Sequence, residues 1–232
     1  MKRHGKKYRA AKEKVPGATM ELPIDQAVAK VKESAYAKFD ETVDAHINLG
    51  IDPAKGEQAI RGSLILPHGL GKAPRIVVFA KGDSAEAAKK AGADEIGVDD
   101  LVEKINGGWM DFEYAIATPD LMGLVGKLAK ILGPRGLLPN KKNGTVTFDV
   151  APVIADLKKG RMFFKNDKAG LVHFSFGKKS FDSKQLQENL VAFLNALNSV
   201  RPALKGRYMK KITICSTMGP GVRINPDAVL SL

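Results

Sequence analysis

The sequence predicts an α+β protein of two domains, in which both chain ends form one split α+β domain and an α/β domain is inserted between them. Near each end, apolar residues alternate with polar ones, which is typical of half-buried strands. The middle of the chain instead repeats strand, helix, strand, helix, strand, helix, the pattern of a small parallel sheet with crossover helices. Because neither end contains a complete domain, we expect residues 1–69 and 161–232 to fold together and residues 70–160 to form the insertion.

The N-terminal part supplies a basic head, a helix and two strands. The first 14 residues carry seven Lys and Arg and one acid, which predicts a solvated, frayed arm or a phosphate-binding tail. A helix is predicted from Pro23, because apolar residues follow it at helical spacing. Strict alternation over residues 43–49 predicts a half-buried strand. RGSLILP predicts a second strand, and we expect the two strands to pair as an antiparallel piece of sheet.

The middle of the chain begins after PHGLGKAP, whose Pro and Gly residues predict a flexible joint. Together with the return connection LKKGR, this segment predicts a hinge between the two domains. Apolar runs and helical periodicity then predict the elements of the insertion. The strands are RIVVFA, DEIGV and FEYAIATP, and the helices are SAEAAKKAG, DDLVEKINGG, LMGLVGKLAKILG and VAPVIADLKKG. PRGLLPNKKNGTV is predicted to be a loop.

The C-terminal part returns to strand periodicity and then to a long helix. GLVHFSFG predicts a strand with its apolar residues on one face. Asp182 and Gln185 have the spacing of a capping box, so the next helix is expected to begin there. That helix should bury Leu186, Leu190, Phe193, Leu194 and Leu197. KKITICSTM predicts a last strand, followed by a Gly/Pro turn.

Composition favours a polyanionic partner and a cytoplasmic location. The formal net charge is +12, because 37 Lys and Arg outnumber 25 Asp and Glu. There is no apolar run of membrane-spanning length and no apolar segment typical of a secretory signal. The single cysteine, Cys215, excludes an internal disulfide and is predicted to be a small core residue.

Enzymatic motifs are incomplete throughout the chain, and we expect no cofactor, no metal and no catalytic residues. HGLGKA lacks the leading glycine and the hydroxyl residue of a phosphate-binding loop, and no GxGxxG follows the first strand of the insertion. His46 and His173 fall on strand faces opposite the apolar ones, so hydrogen-bonded surface histidines are expected there. An enzyme on a doubly wound domain therefore stays an unfavoured alternative.

Basic segments favour RNA as the polyanion. KLAKILGPRGLLPNKKNG, KKGRMFFKNDK and RPALKGRYMKK contain few or no acids. Phe163, Phe164 and Tyr208 lie within such segments, where each is either a core residue or a stacking platform for a base. A basic adaptor that binds acidic proteins is the remaining alternative.

Four stretches resemble the L-one family of large-subunit ribosomal proteins closely. They are KFDETVDAHINLGIDPAKGEQAIRGSLILPHGLGK, GWMDFEYAIATPDLMGLVGKLAKILGPRGLLPN, FFKNDKAGLVHFSFGK and STMGPGVRINP. The resemblance covers roughly residues 20–227. It implies a split α+β domain with an inserted Rossmann-like α/β domain that binds no dinucleotide.

The resemblance also implies a function and its partners. Family members bind large-subunit rRNA and form the mobile stalk beside the tRNA exit site, where deacylated tRNA is released. Bacterial members repress translation of their own operon mRNA. The implied partners of this chain are therefore the large ribosomal subunit, its rRNA, the operon mRNA and exit-site tRNA, with no membrane.

The RNA contacts implied by the resemblance fall on three short motifs of the split domain. They are Lys38, Phe39 and Thr42 in KFDETV, Lys165, Asn166, Asp167 and Lys168 in FKNDK, and Thr217, Met218 and Gly219 in STMGP. The lysines are expected to meet phosphates, and Thr217 and the Gly219 backbone to bond 2′-hydroxyls. Since Asp167 would repel phosphate, it is expected to orient Lys168 or to meet a ribose hydroxyl.

Overall fold

The computed structural model describes residues 5–15, 17, 20–53, 58–202 and 206–226. The chain divides into two compact units, one formed by residues 1–71 with 162–232 and the other by residues 72–161. The first unit thus combines both chain ends.

The described residues form helices and strands in both units. The α-helices are α1 Lys6–Glu13, α2 Ile24–Ser34, α3 Asp83–Lys90, α4 Asp99–Asn106, α5 Met122–Val125, α6 Ala129–Arg135, α7 Val150–Lys158 and α8 Ser183–Ser199. The strands are β1 Glu21–Leu22, β2 Thr42–Leu49, β3 Arg61–Ile65, β4 Ile76–Phe79, β5 Glu95–Gly97, β6 Tyr114–Ala117, β7 Arg161–Lys165, β8 Leu171–Lys178, β9 Met209–Ser216 and β10 Val222–Ile224.

A five-stranded sheet of order β1-β10-β9-β2-β8 is the centre of the first unit. One face of this sheet packs against α2 and α8, because alternate residues of β2, β8 and β9 are apolar and buried. Phe174 of β8 stacks on Phe193 of α8 at 3.9 Å between ring centroids, and Phe164 meets Phe193 edge-on. The capping box of Asp182 and Gln185 is confirmed at the start of α8.

The expected pairing of the first two long strands is wrong. Strand β2 pairs with β8 along one edge and with β9 along the other, both antiparallel. Since both edges of β2 are occupied, β3 pairs instead with β7 in a separate two-stranded sheet. The partners of β2 come from more than 120 residues further along the chain, so spacing near β2 carried no sign of them.

The second unit is the expected parallel sheet with helices. Its strands have the order β5-β4-β6, with β4 central and parallel to both neighbours. Apolar side chains of β4, β6, α4 and the segment 121–132 form its core. The α+β fold class predicted from the sequence is confirmed.

Two local expectations are corrected, and one open alternative is decided. Helix α6 extends to Arg135 with Pro134 inside its last turn, whereas the sequence predicted that the helix ends at Gly133. Gly136 then ends it in the left-handed conformation, at φ 74°. The basic head is not frayed throughout, because residues 6–13 form α1, which buries Ala11. Phe164 and Tyr208 are core residues, and the Tyr208 hydroxyl donates to the carbonyl of Leu197 at 3.1 Å.

Candidate nucleic-acid interface

The five-stranded sheet of the first unit has a second face that faces solvent. Strand alternation places polar side chains there, opposite the core: Thr42, Asp44, His46, Asn48, Leu171, His173, Ser175, Lys211, Thr213, Cys215 and Arg223. Only Leu171 among them is a large apolar residue. We call this surface the open face, and the expected RNA-contacting motifs lie at its two ends.

One end, which we call the Thr42 end, joins the start of β2 to the turn that follows β9. The Thr217 hydroxyl accepts a hydrogen bond from the Thr42 amide at 3.0 Å and donates to the Thr42 carbonyl at 3.2 Å. The Thr217 amide donates to the same carbonyl at 3.0 Å. Since a hydroxyl has one donor and two acceptor positions, a single acceptor position of Thr217 is left for a ligand.

Glu41 lies beneath this end and was not singled out by the sequence. Its side chain is fully buried, and it accepts hydrogen bonds from the Ala37 amide at 2.6 Å and the Met218 amide at 3.1 Å. Burial by itself raises the pKa of Glu41, but the neighbouring Ser216 hydroxyl, the hydrogen bonds from these two amides and the nearby Lys179 ammonium lower it overall. Among the described residues, the Ser216 hydroxyl is the buried side-chain oxygen that makes no hydrogen bond.

The Thr42 end presents exposed side chains of the expected types. Lys38 is exposed, and Phe39 and Met218 are 55% and 49% exposed, unusual values for large apolar residues. Gly219 closes the turn by donating its amide to the Ser216 carbonyl at 3.0 Å. A side chain at Gly219 would collide with the Ser216 hydroxyl unless that hydroxyl rotated away, so the close approach of the turn favours glycine here.

The other end, which we call the Asp167 end, is the turn between β7 and β8. One Asp167 carboxylate oxygen accepts from the amides of Ala169 at 2.9 Å and Leu171 at 2.7 Å. The other oxygen lies 3.7 Å from His173 Nε2. The Leu171 and Ala169 amides lower the pKa of Asp167, helped by His173 and opposed by slight burial. Asp167 therefore shapes the turn and contacts His173, whereas the sequence led us to expect that it orients Lys168 or meets a ribose hydroxyl; the second role stays a prediction.

Asn166 is also committed to the fold at this end. Its carbonyl oxygen accepts from the Ile60 amide at 2.7 Å, and its amide group donates to the Asp167 carbonyl at 2.9 Å. Lys165 and Lys168 are exposed on either side of it. The two lysines are thus the groups of FKNDK that face solvent with a charge suited to phosphate.

The structure does not bring the two ends together. Lys178, at one end of β8, pairs with Thr42, whereas Leu171, at the other end, pairs with Asn48. At roughly 3.3 Å per residue, the eight-residue strand separates the ends by about 23 Å. The expected contacts therefore form two groups on one rigid sheet.

Between the ends, the open face carries a hydrogen-bonded polar cluster. His46 Nδ1 lies 2.8 Å from His173 Nδ1, and His46 Nε2 lies 3.4 Å from Cys215 Sγ. The Ser175 hydroxyl donates to Asp44 at 2.6 Å. Burial and the neighbouring His173 lower the pKa of His46, with Asp44 opposing, while burial and Asp44 raise the pKa of Cys215.

The cluster confirms one expectation and corrects another. Both histidines are hydrogen-bonded on the solvent-facing side of the sheet, as expected. Cys215 is half-buried on the open face and is not a core residue, because the alternation of β9 assigns its neighbours Ile214 and Ser216 to the core. Within the described residues there is no group of three or more metal-ligating side chains, and no helix is long and apolar enough to span a bilayer.

Comparison with known proteins decides the family. The model of the ribosomal protein L1p/L10e family matches residues 31–220. The chain belongs to this family. A relative from Cutibacterium acnes named large ribosomal subunit protein uL1 is 54% identical, over 98% of this chain and 98% of its own length. A relative of the same name from Maridesulfovibrio salexigens is 52% identical, over 98% of this chain and 97% of its own length.

Membership of the L1p/L10e family confirms three expectations from the sequence. The chain is a ribosomal protein, as the four stretches that resemble this family indicated, and it is not an enzyme. The expected cytoplasmic, ribosome-associated location is confirmed with it. All three motifs of the open face lie within the matched residues 31–220.

Proposed function

We propose that the chain is a structural component of the large ribosomal subunit that binds large-subunit rRNA with the two ends of its open face. The name of both relatives, large ribosomal subunit protein uL1, supports the assignment to the large ribosomal subunit. The observation that carries the RNA-binding proposal is the exposure of lysines at both ends of one sheet, together with exposed large apolar side chains at the Thr42 end.

The two ends would contact RNA in different ways. At the Thr42 end, Phe39 and Met218 can pack against bases or riboses, and Lys38 can meet a phosphate. At the Asp167 end, Lys165 and Lys168 can meet phosphates while the turn holds them in place. The free acceptor position on Thr217 suits a donor, and a ribose 2′-hydroxyl is a donor that DNA lacks.

Two further roles in this proposal, in tRNA release and in translational repression, rest on the resemblance to the family. As part of a mobile stalk, the bound chain would take part in releasing deacylated tRNA from the exit site. A similar fold in its own operon mRNA would let the same open face repress translation. We assign RNA binding to the domain formed by residues 1–69 and 161–232, and we assign residues 70–160 to a separate domain with a minor share of the affinity.

A salt titration of binding to deproteinised large-subunit rRNA tests the proposal. If about six phosphates are contacted, raising monovalent salt from 50 to 200 mM should weaken binding by roughly 10³-fold, because condensed counterions are released on binding. Poly-glutamate at equal charge concentration is the matched competitor. A flat titration, or equal competition by poly-glutamate, would contradict RNA recognition and favour a basic adaptor for acidic proteins.

A further inference from the structure

We propose that Glu41 is a positioning residue for RNA binding, which connects the loop carrying Lys38 and Phe39 to the turn carrying Thr217 and Met218. This inference rests on the proposed function, because it assigns a role inside the same RNA site. Glu41 itself is buried and touches no RNA in this arrangement.

The contacts of Glu41 join two segments that are far apart in sequence. One carboxylate oxygen accepts from the Ala37 amide, just before the exposed pair Lys38 and Phe39. The other oxygen accepts from the amide of Met218, 177 residues away along the chain. A carboxylate can accept at both oxygens, and neither an amide nor a hydroxyl side chain of similar size offers two such acceptors. The bond pattern thus explains why an acid occupies this place.

Four other hydrogen bonds attach the same loop to the end of β8, but none of them reaches the turn after β9. The Lys179 amide donates to the Glu41 carbonyl at 2.8 Å, and Lys179 Nζ donates to the Ala35 carbonyl at 2.9 Å. Asp40 accepts from the Ser180 amide and hydroxyl. All of these bonds attach the loop to the end of β8. Thr217 joins the turn after β9 to Thr42, and Glu41 supplies the side-chain link from the same turn to the Ala37 amide, beside Lys38 and Phe39.

Because Glu41 is negatively charged, the direction of the change in RNA affinity on its removal tests the positioning role. A carboxylate near bound phosphates repels them, so its removal should leave RNA affinity unchanged or strengthen it if only charge mattered. Positioning predicts the opposite. In Glu41→Gln one acceptor oxygen becomes an NH₂ donor that faces a backbone N–H, so one of the two links is lost while side-chain volume is kept.

The experiment measures binding of deproteinised large-subunit rRNA by the full chain, by Glu41→Gln and by Glu33→Gln. Glu33→Gln is the control for charge, because Glu33 is exposed on α2 and its carboxylate pairs with Lys30 at 2.9 Å. We expect Glu41→Gln to weaken binding by about tenfold or more with an unchanged salt slope, and Glu33→Gln to bind at least as tightly as the native chain. Melting curves set the binding temperature below the onset of unfolding of every variant.

Two outcomes overturn the inference. Native affinity in a folded Glu41→Gln, or a gain equal to that of Glu33→Gln, would show that Glu41 does not position the site. Loss of salt-dependent rRNA binding by the native chain would instead contradict the proposed function, so the two failures are distinguishable.

A measurement on the native chain keeps the inference testable if Glu41→Gln does not fold. The amides of Ala37 and Met218 should exchange with solvent roughly tenfold or more slowly than in an unstructured peptide, because Glu41 accepts both hydrogens. Exchange of either amide at the unstructured rate would overturn the link.

Discussion

The two ends of the open face are held together in different ways. At the Thr42 end, Glu41 and Thr217 join segments that lie more than 170 residues apart in sequence. At the Asp167 end, Asp167 bonds the amides of residues two and four positions further along the chain. The first end is thus a product of the tertiary fold, whereas the second is mainly a turn stabilised by its own aspartate, with Asn166 joining it to Ile60.

This difference predicts which end depends on the rest of the protein. A local turn keeps its shape whenever its few residues are ordered, and exposed amides can bond water if the aspartate is removed. The Thr42 end exists only when β9 lies beside β2, so any change there acts on the sheet as well as on the site. If RNA binding needs both ends, a change that unfolds the sheet of the first unit would therefore also lower RNA affinity.

The sharpest test compares Thr217→Val with Asp167→Ala by thermal melting. Thr217→Val removes one acceptor and one donor that bridge β9 to β2, so we expect a loss of about 1–2 kcal/mol of unfolding free energy. Asp167→Ala should cost less, because its two bonds lie within one turn, whereas the bonds of Thr217 join two strands.

Thr217→Ser is the control for this comparison, since it keeps the hydroxyl and removes a methyl group. An equal melting temperature for Thr217→Val and the native chain would show that the bridge does not stabilise the sheet. If Thr217→Val melts normally and loses rRNA affinity, the hydroxyl belongs to the RNA contact and not to the fold.

The same difference explains what could be predicted from the sequence. The Asp182–Gln185 capping box and the alternating strands are local patterns, and the structure has them where they were expected. Glu41 gave no such signal, because an acid in KFDETV is ordinary at the exposed start of a strand. Its burial depends on Met218, which becomes its neighbour only through the pairing of β2 with β9.

The errors share this origin. The pairing assumed for β2 and β3 used sequence proximity, but the partners of β2 come from the other end of the chain. The three RNA-contacting motifs were predicted without any arrangement in space, and β8 separates them into two groups. Residue types at each end were predictable, and their arrangement was not.

The lysines offer a second comparison of the ends, with a smaller expected effect. Lys38→Ala and Lys168→Ala should each reduce the slope of log affinity against log salt by about one unit, since each removes one phosphate contact. Because the ends are about 23 Å apart, the losses of binding free energy in the double variant should add. Lys142→Ala in the other unit is the control. A double variant no weaker than either single variant would show that only one end contacts RNA.

The smallest expected effect concerns the polar cluster between the two ends. His46 and His173 are joined through their Nδ1 atoms, and such a bond needs a hydrogen on one ring and a lone pair on the other. If both rings were protonated, two N–H groups and two positive charges would face each other. The cluster therefore favours states in which at least one ring is neutral.

This arrangement makes the stability of the sheet depend on pH in a definite direction. Burial and His173 lower the pKa of His46 from its ordinary 6.5 in the folded chain, against the opposing attraction of Asp44. A lowered pKa means that the unfolded chain binds more protons, so the stabilisation is complete above pH 6.5 and is lost as pH falls towards the folded value. We expect the melting temperature to fall by a few degrees on acidification from neutral pH through this window, with carboxylates still ionised.

Two variants test this pH dependence. His46→Gln should reduce the fall in melting temperature, and His173→Gln should reduce it partly, because His173 is one of the two causes of the lowered pKa of His46. Asp44, Asp167 and Cys215 also face this cluster. Equal slopes for His46→Gln and the native chain across this window would show that the histidine pair does not link protonation to the stability of the sheet.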